Sequence, residues 1–252
     1  MLHRDYMDCV PDRSVAVVIP VRDESADGVA EILRYYREGH WMDPERIGWQ
    51  LIIVDDGSTT PFPEATYRHE APRGYGAALK TGIANTHAHW IVTMDGDGQH
   101  RVRDMVRLVE FTRDFPGVDL VIGDRRVKEA GVRLWGRRAL NWLASLFACR
   151  WIADLNSGLR IFRREIAMGY FPILSDGFSF TTSLTLSMLA DRYQVDWLPI
   201  LVSPRSNGTT NVKLWQDGWR TVKLILWIGG ALRTRTLRRW VRPLTTWLLR
   251  RP

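Results

Sequence analysis

Short apolar runs alternate with segments of helical periodicity through the first half of the chain. The runs at 15–20 (VAVVIP) and 51–56 (LIIVDD) lack polar alternation, which indicates strands buried on both faces. Strands that alternate with helices predict a mostly parallel sheet flanked by helices. The pattern predicts strands at 15–20, 51–56, 90–95, 119–124 and 195–202, and helices at about 27–38, 75–86, 102–114, 134–149 and 180–191.

Polar residues follow the predicted strands at the points where the strands end. In sheets of this kind, ligands bind outside the carboxyl ends of the strands, so these polar segments are the first candidates for a functional site. The segments are PVRDE (20–24), DDGS (55–58), DGDGQH (95–100) and GDRR (123–126).

The segment DGDGQH contains three oxygen-bearing side chains at alternate positions, Asp95, Asp97 and Gln99. In extended backbone such residues point to one side. Carboxylates grouped in this way suit Mg²⁺ or Mn²⁺, which typically binds one or two carboxylates together with substrate phosphates. An isolated pair of this kind is more often a solvated turn. The strand before it and the other polar strand ends favour the metal.

Acidic residues at the first two strand ends are candidate nucleotide ligands. Asp55 and Asp56 can accept hydrogen bonds from a base or a ribose, as acidic residues do in dinucleotide-binding folds. They can equally form an Asx turn that leaves the strand. Asp23 and Glu24 can hold a ribose, or they can begin a helix, where acids interact favourably with the helix dipole.

The segment 73–82 (RGYGAALKTG) opens a predicted helix with two glycines. A glycine-rich helix start is a weak signal for phosphate binding, and this one lacks the G-x-G-x-x-G spacing. Lys80 within it is a candidate contact to a diphosphate or a base, although a surface lysine is the more common case.

The chain has 252 residues, and its composition, 45% hydrophobic and 25% charged, is typical of a globular protein with one or two domains. Its two cysteines, Cys9 and Cys149, lie far apart in sequence, which argues against a disulfide scaffold or a zinc site and fits a reducing compartment. The net charge of +7 is unevenly distributed along the chain. Residues 205–252 contain eleven basic residues and one acidic residue, a net of +10, so residues 1–204 carry −3.

The basic tail has the pattern of an amphipathic helix. Its apolar residues lie on one face, and its arginines lie mostly off that face. This arrangement is typical of a helix that lies in a membrane interface, so we expect residues 233–251 to contact a membrane surface. A helix packed on the protein's own core is the alternative, and no nucleic-acid partner is expected. The longest apolar run, 224–232, has nine residues and is too short to span a bilayer. The apolar positions are Leu237, Trp240, Val241, Leu244, Trp247 and Leu248.

Six motifs occur together in one order: VVIPVRDE, VDDGS, RGYGAALKTG, MDGDGQH, NSGLRIFRR and PRSNGTTN. Over about residues 15–212 the chain therefore resembles glycosyltransferase family 2, specifically the dolichyl- and polyprenyl-phosphate sugar synthases. The resemblance implies a GT-A fold at 1–212, with 213–252 as the amphipathic tail. It also implies a UDP- or GDP-sugar donor, Mg²⁺ or Mn²⁺ as cofactor, a lipid-phosphate acceptor and an inverting reaction.

The resemblance also assigns roles by position. It implies that Asp95, Asp97 and Gln99 surround the metal and the donor diphosphate. Arg125 and Ser157 match positions near the acceptor phosphate, and Arg205 matches an arginine on a loop that reaches both phosphates. Asp97, Arg125 and Arg205 are thus the expected catalytic residues. The nucleoside would be framed by Pro20, Asp23, Glu24, Asp55 and Asp56.

Two alternatives stay open, a family member that glycosylates a hydroxyl and a non-catalytic nucleotide-sugar binder on a membrane. Thr181 and Thr182 stand where many relatives carry an acid. A phosphate acceptor is already anionic and needs no general base, so these threonines favour a lipid phosphate. We expect a protein peripheral to the cytoplasmic face of a membrane, where a membrane-protein partner can supply the anchor.

Overall fold

The computed structural model describes residues 14–39, 49–125, 132–148 and 150–202, together with residues 222, 223 and 226. The strands in this part are β1 (Val15–Val21), β2 (Gln50–Asp55), β3 (Tyr67–Arg68), β4 (Trp90–Thr93), β5 (Leu120–Arg125), β6 (Arg160–Arg163) and β7 (Val195–Ile200). The helices are α1 (Ala30–Arg37), α2 (Tyr75–Ala84), α3 (Val102–Asp114), α4 (Val132–Ala148), α5 (Arg164–Tyr170) and α6 (Phe180–Ala190), and a short 3₁₀ turn, Ala26–Val29, precedes α1.

The strands form one seven-stranded sheet in the order β3-β2-β1-β4-β6-β5-β7. Every neighbouring pair is parallel except those that involve β6, which runs antiparallel to both β4 and β5. The chain leaves β5 at the carboxyl edge of the sheet, and α4 and the segment that follows it return to this edge. Strand β6 therefore begins there, with Arg160 paired to Thr93 of β4 and to Ile122 of β5.

The five predicted strands and five predicted helices are confirmed, with ends shifted by a few residues. The mostly parallel sheet flanked by helices is confirmed as well. Strands β3 and β6 and helix α5 were not predicted. Strand β6 has only four residues and is bounded by arginines at both ends, so its apolar run is too short to stand out.

Both faces of the sheet are covered, which explains why the central strands lack polar alternation. All seven residues of β1 are buried. Its odd-numbered residues, such as Val17 and Ile19, pack with α1 and α3 on one face. Its even-numbered residues, such as Ala16 and Val18, pack with α2, α5 and α6 on the other. Helix α4 forms a smaller third cluster, in which Ala144 packs with Ile152, Leu155 and Leu186.

The expected tail, 213–252, lies outside the described residues apart from positions 222, 223 and 226, and Arg205 lies outside them too. Within the described ranges, no helix combines the length and the apolar character that crossing a bilayer requires.

The guanidinium of Arg160 is fully buried and joins the start of β6 to α6. Its Nη1 donates to the carbonyl of Thr181 at 2.9 Å and to Thr185 Oγ1 at 3.0 Å. Its Nε donates to the carbonyl of Ser157 at 3.0 Å, and Nη2 donates to that of Leu155 at 3.3 Å. Burial lowers the pKa of Arg160 to about 10, so the group is still charged at neutral pH.

Replacing Arg160 with Met should destabilise the fold, because it leaves buried carbonyls without donors. We expect the free energy of unfolding, measured by urea titration, to fall by about 3 kcal/mol or more. The matched variant Arg103→Met changes an exposed arginine on α3 and should stay within about 0.5 kcal/mol of wild type. Equal stability of the two variants would contradict the structural role of Arg160.

Candidate active site

The carboxyl edge of the sheet collects the polar segments that the sequence singled out. Strands β1, β2, β4 and β5 all end there because they are parallel, and β6 begins there. The candidate site is therefore assembled by topology from segments that are far apart in sequence. It is closed on one side by residues 154–159, which precede β6, and on another by residues 174–178, which precede α6.

The turn after β4 carries Asp95 and Asp97 and packs tightly against the end of β1. The Met94 N–H donates to the carbonyl of Val18 at 3.2 Å. A Cβ atom at Gly96 would lie 2.7 Å from Val21 Cγ1, so only glycine fits there. Asp97 is buried, and its Oδ1 accepts the N–H of the half-buried Gln99 at 3.1 Å.

Asp95 is held from two sides by side chains. The hydroxyl of Tyr75 donates to Asp95 Oδ1 at 2.9 Å, and His100 Nε2 lies 3.4 Å from Oδ2. Burial alone would raise the pKa of Asp95, but the hydrogen bond and charge of His100, the Tyr75 hydroxyl and the charge of Arg125 outweigh it, and the pKa falls below its ordinary value. Asp95 is thus ionised at neutral pH.

The space that Asp95 occupies exists because residue 158 is glycine. A Cβ atom at Gly158 would overlap both carboxylate oxygens of Asp95. The carbonyl of Gly158 is fixed by a 2.7 Å hydrogen bond from Thr93 Oγ1. Residue 158 therefore cannot move away easily to make room for a side chain.

Asp95 and Asp97 both lie near Tyr75. Burial raises the pKa of Tyr75 well above its ordinary value, and the charges of both aspartates raise it further. A region with two carboxylates, one of them held ionised, fits a divalent cation. Among the described residues, no group of three or more His, Cys, Asp or Glu side chains forms a metal cage. A cation at this position would take its other ligands from Gln99, water or a bound phosphate.

Asp23 and Asp56 form hydrogen bonds that connect the loops at the ends of β1 and β2. The Asp23 N–H donates to Ser58 Oγ at 3.0 Å, and Asp23 Oδ1 accepts the N–H of Thr59 at 2.8 Å. Asp23 adopts a φ of 52°, which is uncommon for a non-glycine residue. Asp56 accepts the N–H groups of Arg73 and Gly74 at 2.9 and 2.8 Å and thereby fixes the start of α2.

Asp55 is fully buried and shapes the turn that follows β2. Its carboxylate accepts the N–H of Ser58 at 2.8 Å and that of Phe62 at 3.1 Å. Burial alone would raise the pKa of Asp55, but the hydrogen bonds from Ser58 and Phe62 and the charge of Arg68 outweigh it, and the pKa is lowered. In this structure Asp55 thus holds protein backbone, and its expected contact with a nucleoside stays a prediction.

Lys80 lies on α2 and is bound to the segment before α6. Its ammonium group donates to the carbonyl of Leu174 at 2.6 Å and to Asp176 Oδ1 at 2.7 Å. The same segment carries Phe178, whose ring stacks on Tyr75 with centroids 5.4 Å apart. Lys80 therefore helps to hold the loop that supports Tyr75, and the expected contact between Lys80 and a donor stays a prediction.

Arg125, at the end of β5, forms a two-pronged ion pair with the buried Asp154. Its Nε and Nη2 donate to the two carboxylate oxygens at 2.7 and 3.1 Å. This geometry fixes the plane of the guanidinium. Ser157 is fully buried, and its hydroxyl points toward the Leu159 carbonyl at 3.5 Å, so its expected acceptor contact stays a prediction.

The remaining assigned residues lie at the same edge. Pro20 is buried in β1, and Glu24 is half-buried in the loop after it. Four further residues of the site received no role from the sequence: Tyr75, His100, Asp154 and Gly158. Three of them sit inside motifs that the sequence singled out, and Asp154 lies two residues before the motif NSGLRIFRR. Their neighbours across the site become known only when the strands are placed side by side.

The chain is similar to several known proteins. The family model for glycosyl transferase family 2 matches residues 16–179. The undecaprenyl-phosphate mannosyltransferase of Micrococcus luteus is 27% identical over 239 residues, which is 92% of this chain and 88% of that protein. The polyprenol monophosphomannose synthase of Mycolicibacterium smegmatis is 26% identical over 191 residues, 64% of this chain and 69% of that protein.

Other relatives are matched over a smaller share of their length. An uncharacterized protein of Methanocaldococcus jannaschii is 33% identical over 133 residues, 46% of this chain, and the match spans about half of that protein, 54%. Among solved structures, the glucosyl-3-phosphoglycerate synthase of Mycobacterium tuberculosis in complex with Mn²⁺, UDP-glucose and phosphoglyceric acid has a TM-score of 0.66. It is 21% identical, with 86% of this chain and 80% of that chain covered, and supports the fold alone.

Replacing Asp55 with Asn should destabilise the protein in a pH-dependent way. The folded-state pKa of Asp55 lies below its ordinary 3.8, so its carboxylate adds stability above that pH and loses it as the pH falls through the folded pKa. At pH 7 we expect the variant to lose about 1.5–3 kcal/mol, measured by urea unfolding. The deficit should persist to about pH 4.5 and shrink only below it.

Asp27→Asn, at an exposed position of the 3₁₀ turn, is the control and should match wild type at every pH. A deficit of Asp55→Asn that widens on acidification would contradict the account of this carboxylate.

Proposed function

Because the chain belongs to glycosyl transferase family 2 and is a glycosyltransferase, we propose that it transfers a sugar from a UDP- or GDP-linked donor to a polyprenyl or dolichyl phosphate. The observation that carries the proposal is the placement of Arg125. Its guanidinium is oriented by Asp154 and lies close enough to Asp95 to lower the pKa of that carboxyl. The proposed cation site and a fixed guanidinium are thus side by side.

The donor is assigned to the side of the site formed by the ends of β1 and β2. The loops there are positioned by hydrogen bonds to Asp23 and Asp56, and preorganised loops suit the recognition of a nucleoside. The Mycobacterium tuberculosis synthase was solved with UDP-glucose and Mn²⁺ on the same fold. The diphosphate would lie against Asp95 and Asp97 through Mg²⁺ or Mn²⁺, with Gln99 as a further oxygen ligand.

A bound cation would stabilise the negative charge that develops on the departing nucleoside diphosphate. The protein's own contribution is preorganisation. Tyr75 and His100 hold the Asp95 carboxylate in place before any ligand binds, so little reorganisation is needed during the reaction. The pKa of Asp95 is lowered, which keeps this carboxylate available as a ligand at neutral pH.

We assign the binding of the acceptor phosphate to Arg125. Arg205 lies outside the described residues and would complete the phosphate site. A guanidinium recognises phosphate through two parallel hydrogen bonds. The first turn of α6 contains no acid, and Thr182 donates to Asn156 Oδ1 at 2.6 Å. A hydroxyl acceptor would need a base, whereas a phosphate oxygen is already a nucleophile. Its attack opposite the leaving group inverts the anomeric carbon.

Several of the curated relatives are named for transfer to undecaprenyl, dodecaprenyl or dolichyl phosphate. Such acceptors are embedded in a bilayer. We propose that the enzyme is peripheral to the cytoplasmic face of a membrane, and that residues 233–251 of the basic tail contact the membrane surface or a membrane-protein partner.

The direct test is an assay of purified protein with a panel of radiolabelled UDP- and GDP-sugars, Mn²⁺ and a polyprenyl phosphate, with label followed into the organic phase. We expect one donor to give organic-phase label. Asp97→Ala should reduce the rate at least about 100-fold, because it removes a ligand that acts on the leaving group. Asp114→Ala, at an exposed position at the end of α3, is the matched control and should keep the wild-type rate.

The other outcomes separate the alternatives. Donor turnover without organic-phase label would contradict the lipid-phosphate acceptor and favour a hydroxyl acceptor. Near-full activity of Asp97→Ala would contradict its role at the leaving group. A lack of turnover with every donor would favour a non-catalytic nucleotide-sugar binder.

A further inference from the structure

His69 is a buried histidine to which the proposed reaction gives no role. It directly follows β3, which pairs in parallel with β2 and has Arg68 opposite Asp55. The His69 N–H donates to the carbonyl of Asp55 at 2.9 Å and continues this pairing. One step further along both strands, the imidazole of His69 therefore lies beside the carboxylate of Asp56.

Both ring nitrogens of His69 have a polar partner. Nδ1 lies 2.7 Å from Asp56 Oδ1, and Nε2 lies 2.9 Å from Thr81 Oγ1 on α2. An ionised carboxylate only accepts hydrogen bonds, so in the neutral ring Nδ1 carries the proton and donates it to Asp56. Nε2 then accepts the hydroxyl proton of Thr81. The imidazole is thus held between the end of β2 and the middle of α2.

The carboxylate of Asp56 extends this network to the start of α2. It is 3% exposed, and besides His69 it accepts the N–H groups of Arg73 on Oδ1 and of Gly74 on Oδ2. A Cβ atom at Gly74 would lie 2.4 Å from the carbonyl oxygen of Asp176, so the start of α2 is packed on its other side as well. With three donors on a buried carboxylate, Asp56 is suited to positioning α2.

The residue after Gly74 is Tyr75, the first residue of α2. Its hydroxyl donates to Asp95 Oδ1 at 2.9 Å. Hydrogen bonds and covalent bonds therefore connect His69 to the carboxylate that is proposed to bind the cation. Groups that orient a metal ligand typically change metal affinity or activity by about 10- to 100-fold when they are removed.

We propose that His69 is a positioning residue for the cation site. Through Asp56 it sets the start of α2, and α2 then brings Tyr75 to Asp95. This inference rests on the proposed function, in which Asp95 binds Mg²⁺ or Mn²⁺ with the donor diphosphate. His69 itself contacts neither donor nor acceptor. Its hydrogen bond to Asp56 has the effect on the site, whereas Thr81 only holds the far side of the ring.

Two substitutions separate the two contacts of His69. Asparagine places an amide N–H near the position of Nδ1 and can still donate to Asp56, whereas glutamine reaches the position of Nε2 and keeps only the contact with Thr81. Binding is followed by the paramagnetic resonance signal of free Mn²⁺ with UDP or GDP present. His69→Gln should weaken Mn²⁺ binding about tenfold, and His69→Asn should stay within about twofold of wild type.

His87→Gln, at an exposed position between α2 and β4, is the matched control and should bind Mn²⁺ as wild type does. Circular dichroism and thermal unfolding verify that each variant is folded. Asp56→Asn breaks the same contact from the other side and replaces His69→Gln if that variant does not fold. An equal loss in folded His69→Asn and His69→Gln, or no loss in either, would overturn the proposal.

A double variant tests whether the effect passes through Tyr75. Tyr75→Phe removes only the hydroxyl and should by itself weaken Mn²⁺ binding about tenfold. If His69 acts through Tyr75, His69→Gln/Tyr75→Phe should bind no more weakly than the weaker of the two single variants. Independent effects would multiply to a loss of about 100-fold, and that result would overturn the proposed connection.

The hydroxyl of Tyr75 can also be observed without any ligand. Tyrosine labelled with ¹³C at Cζ reports the hydrogen bonding of each hydroxyl by nuclear magnetic resonance, and Tyr75→Phe identifies the resonance of Tyr75 among the seven tyrosines. In His69→Gln this resonance should move toward its position in Asp95→Ala, whereas in His69→Asn it should stay at the wild-type position. An unchanged resonance in His69→Gln would overturn the proposal even if wild type binds no Mn²⁺.

Sugar transfer separates this inference from the proposed function. His69→Gln should reach nearly the wild-type rate at saturating Mn²⁺ and should lose rate only when Mn²⁺ is limiting. A raised KM for the nucleotide-sugar that persists at saturating Mn²⁺ would overturn the positioning role and place His69 at the nucleoside. If Mn²⁺ binding and the Tyr75 resonance behave as expected but wild type turns over no donor, the proposed function fails while the positioning of Asp95 stands.

Discussion

The carboxylate of Asp95 is where the fold and the proposed chemistry meet. It occupies a space that a side chain at position 158 would fill, so residue 158 must be glycine. Hydrogen-bond contacts with Tyr75 and His100 hold the carboxylate there. Each of these contacts comes from a different part of the chain, so the carboxylate is in place only when β4, β6 and α2 are all assembled. The site is therefore a consequence of tertiary structure as much as of its motif.

The acidic residues at this edge divide into two physical classes. Asp55, Asp56 and Asp154 are buried and use their carboxylates on backbone N–H groups or on Arg125, which makes them part of the scaffold. Asp95 is only half-buried, and Asp97, although buried, lies with Asp95 near Tyr75, whose pKa the charges of both aspartates raise. Burying the carboxylates of the first class costs desolvation free energy, and their hydrogen bonds offset that cost. The second class is the pair proposed to bind a cation, which would relieve the repulsion between two like charges.

Much of this arrangement could be predicted from the sequence, because buried parallel strands have a strong apolar signal and carry the ligand-binding segments at their ends. What could not be predicted depends on contacts across the sheet. Strand β6 is too short to be recognised, and its pairing with β4 brings the preceding Gly158 next to Asp95. The stacking of Phe178 on Tyr75 likewise joins residues that are distant in sequence. The roles expected for Asp55, Lys80 and Ser157 came from motif position, which does not reveal that a side chain is already engaged or buried.

The central claim, that Asp95 and Asp97 hold a divalent cation together with a nucleoside diphosphate, is tested most directly by the paramagnetic resonance signal of free Mn²⁺ during titration with protein. With UDP or GDP present, wild type should bind Mn²⁺ at least about tenfold more tightly than without nucleotide. Gly158→Ala, which displaces Asp95, should lose this binding, whereas Gly169→Ala, where a Cβ atom meets nothing within 4 Å, should keep it. Unaltered Mn²⁺ binding by folded Gly158→Ala, or no binding by wild type, would contradict the account.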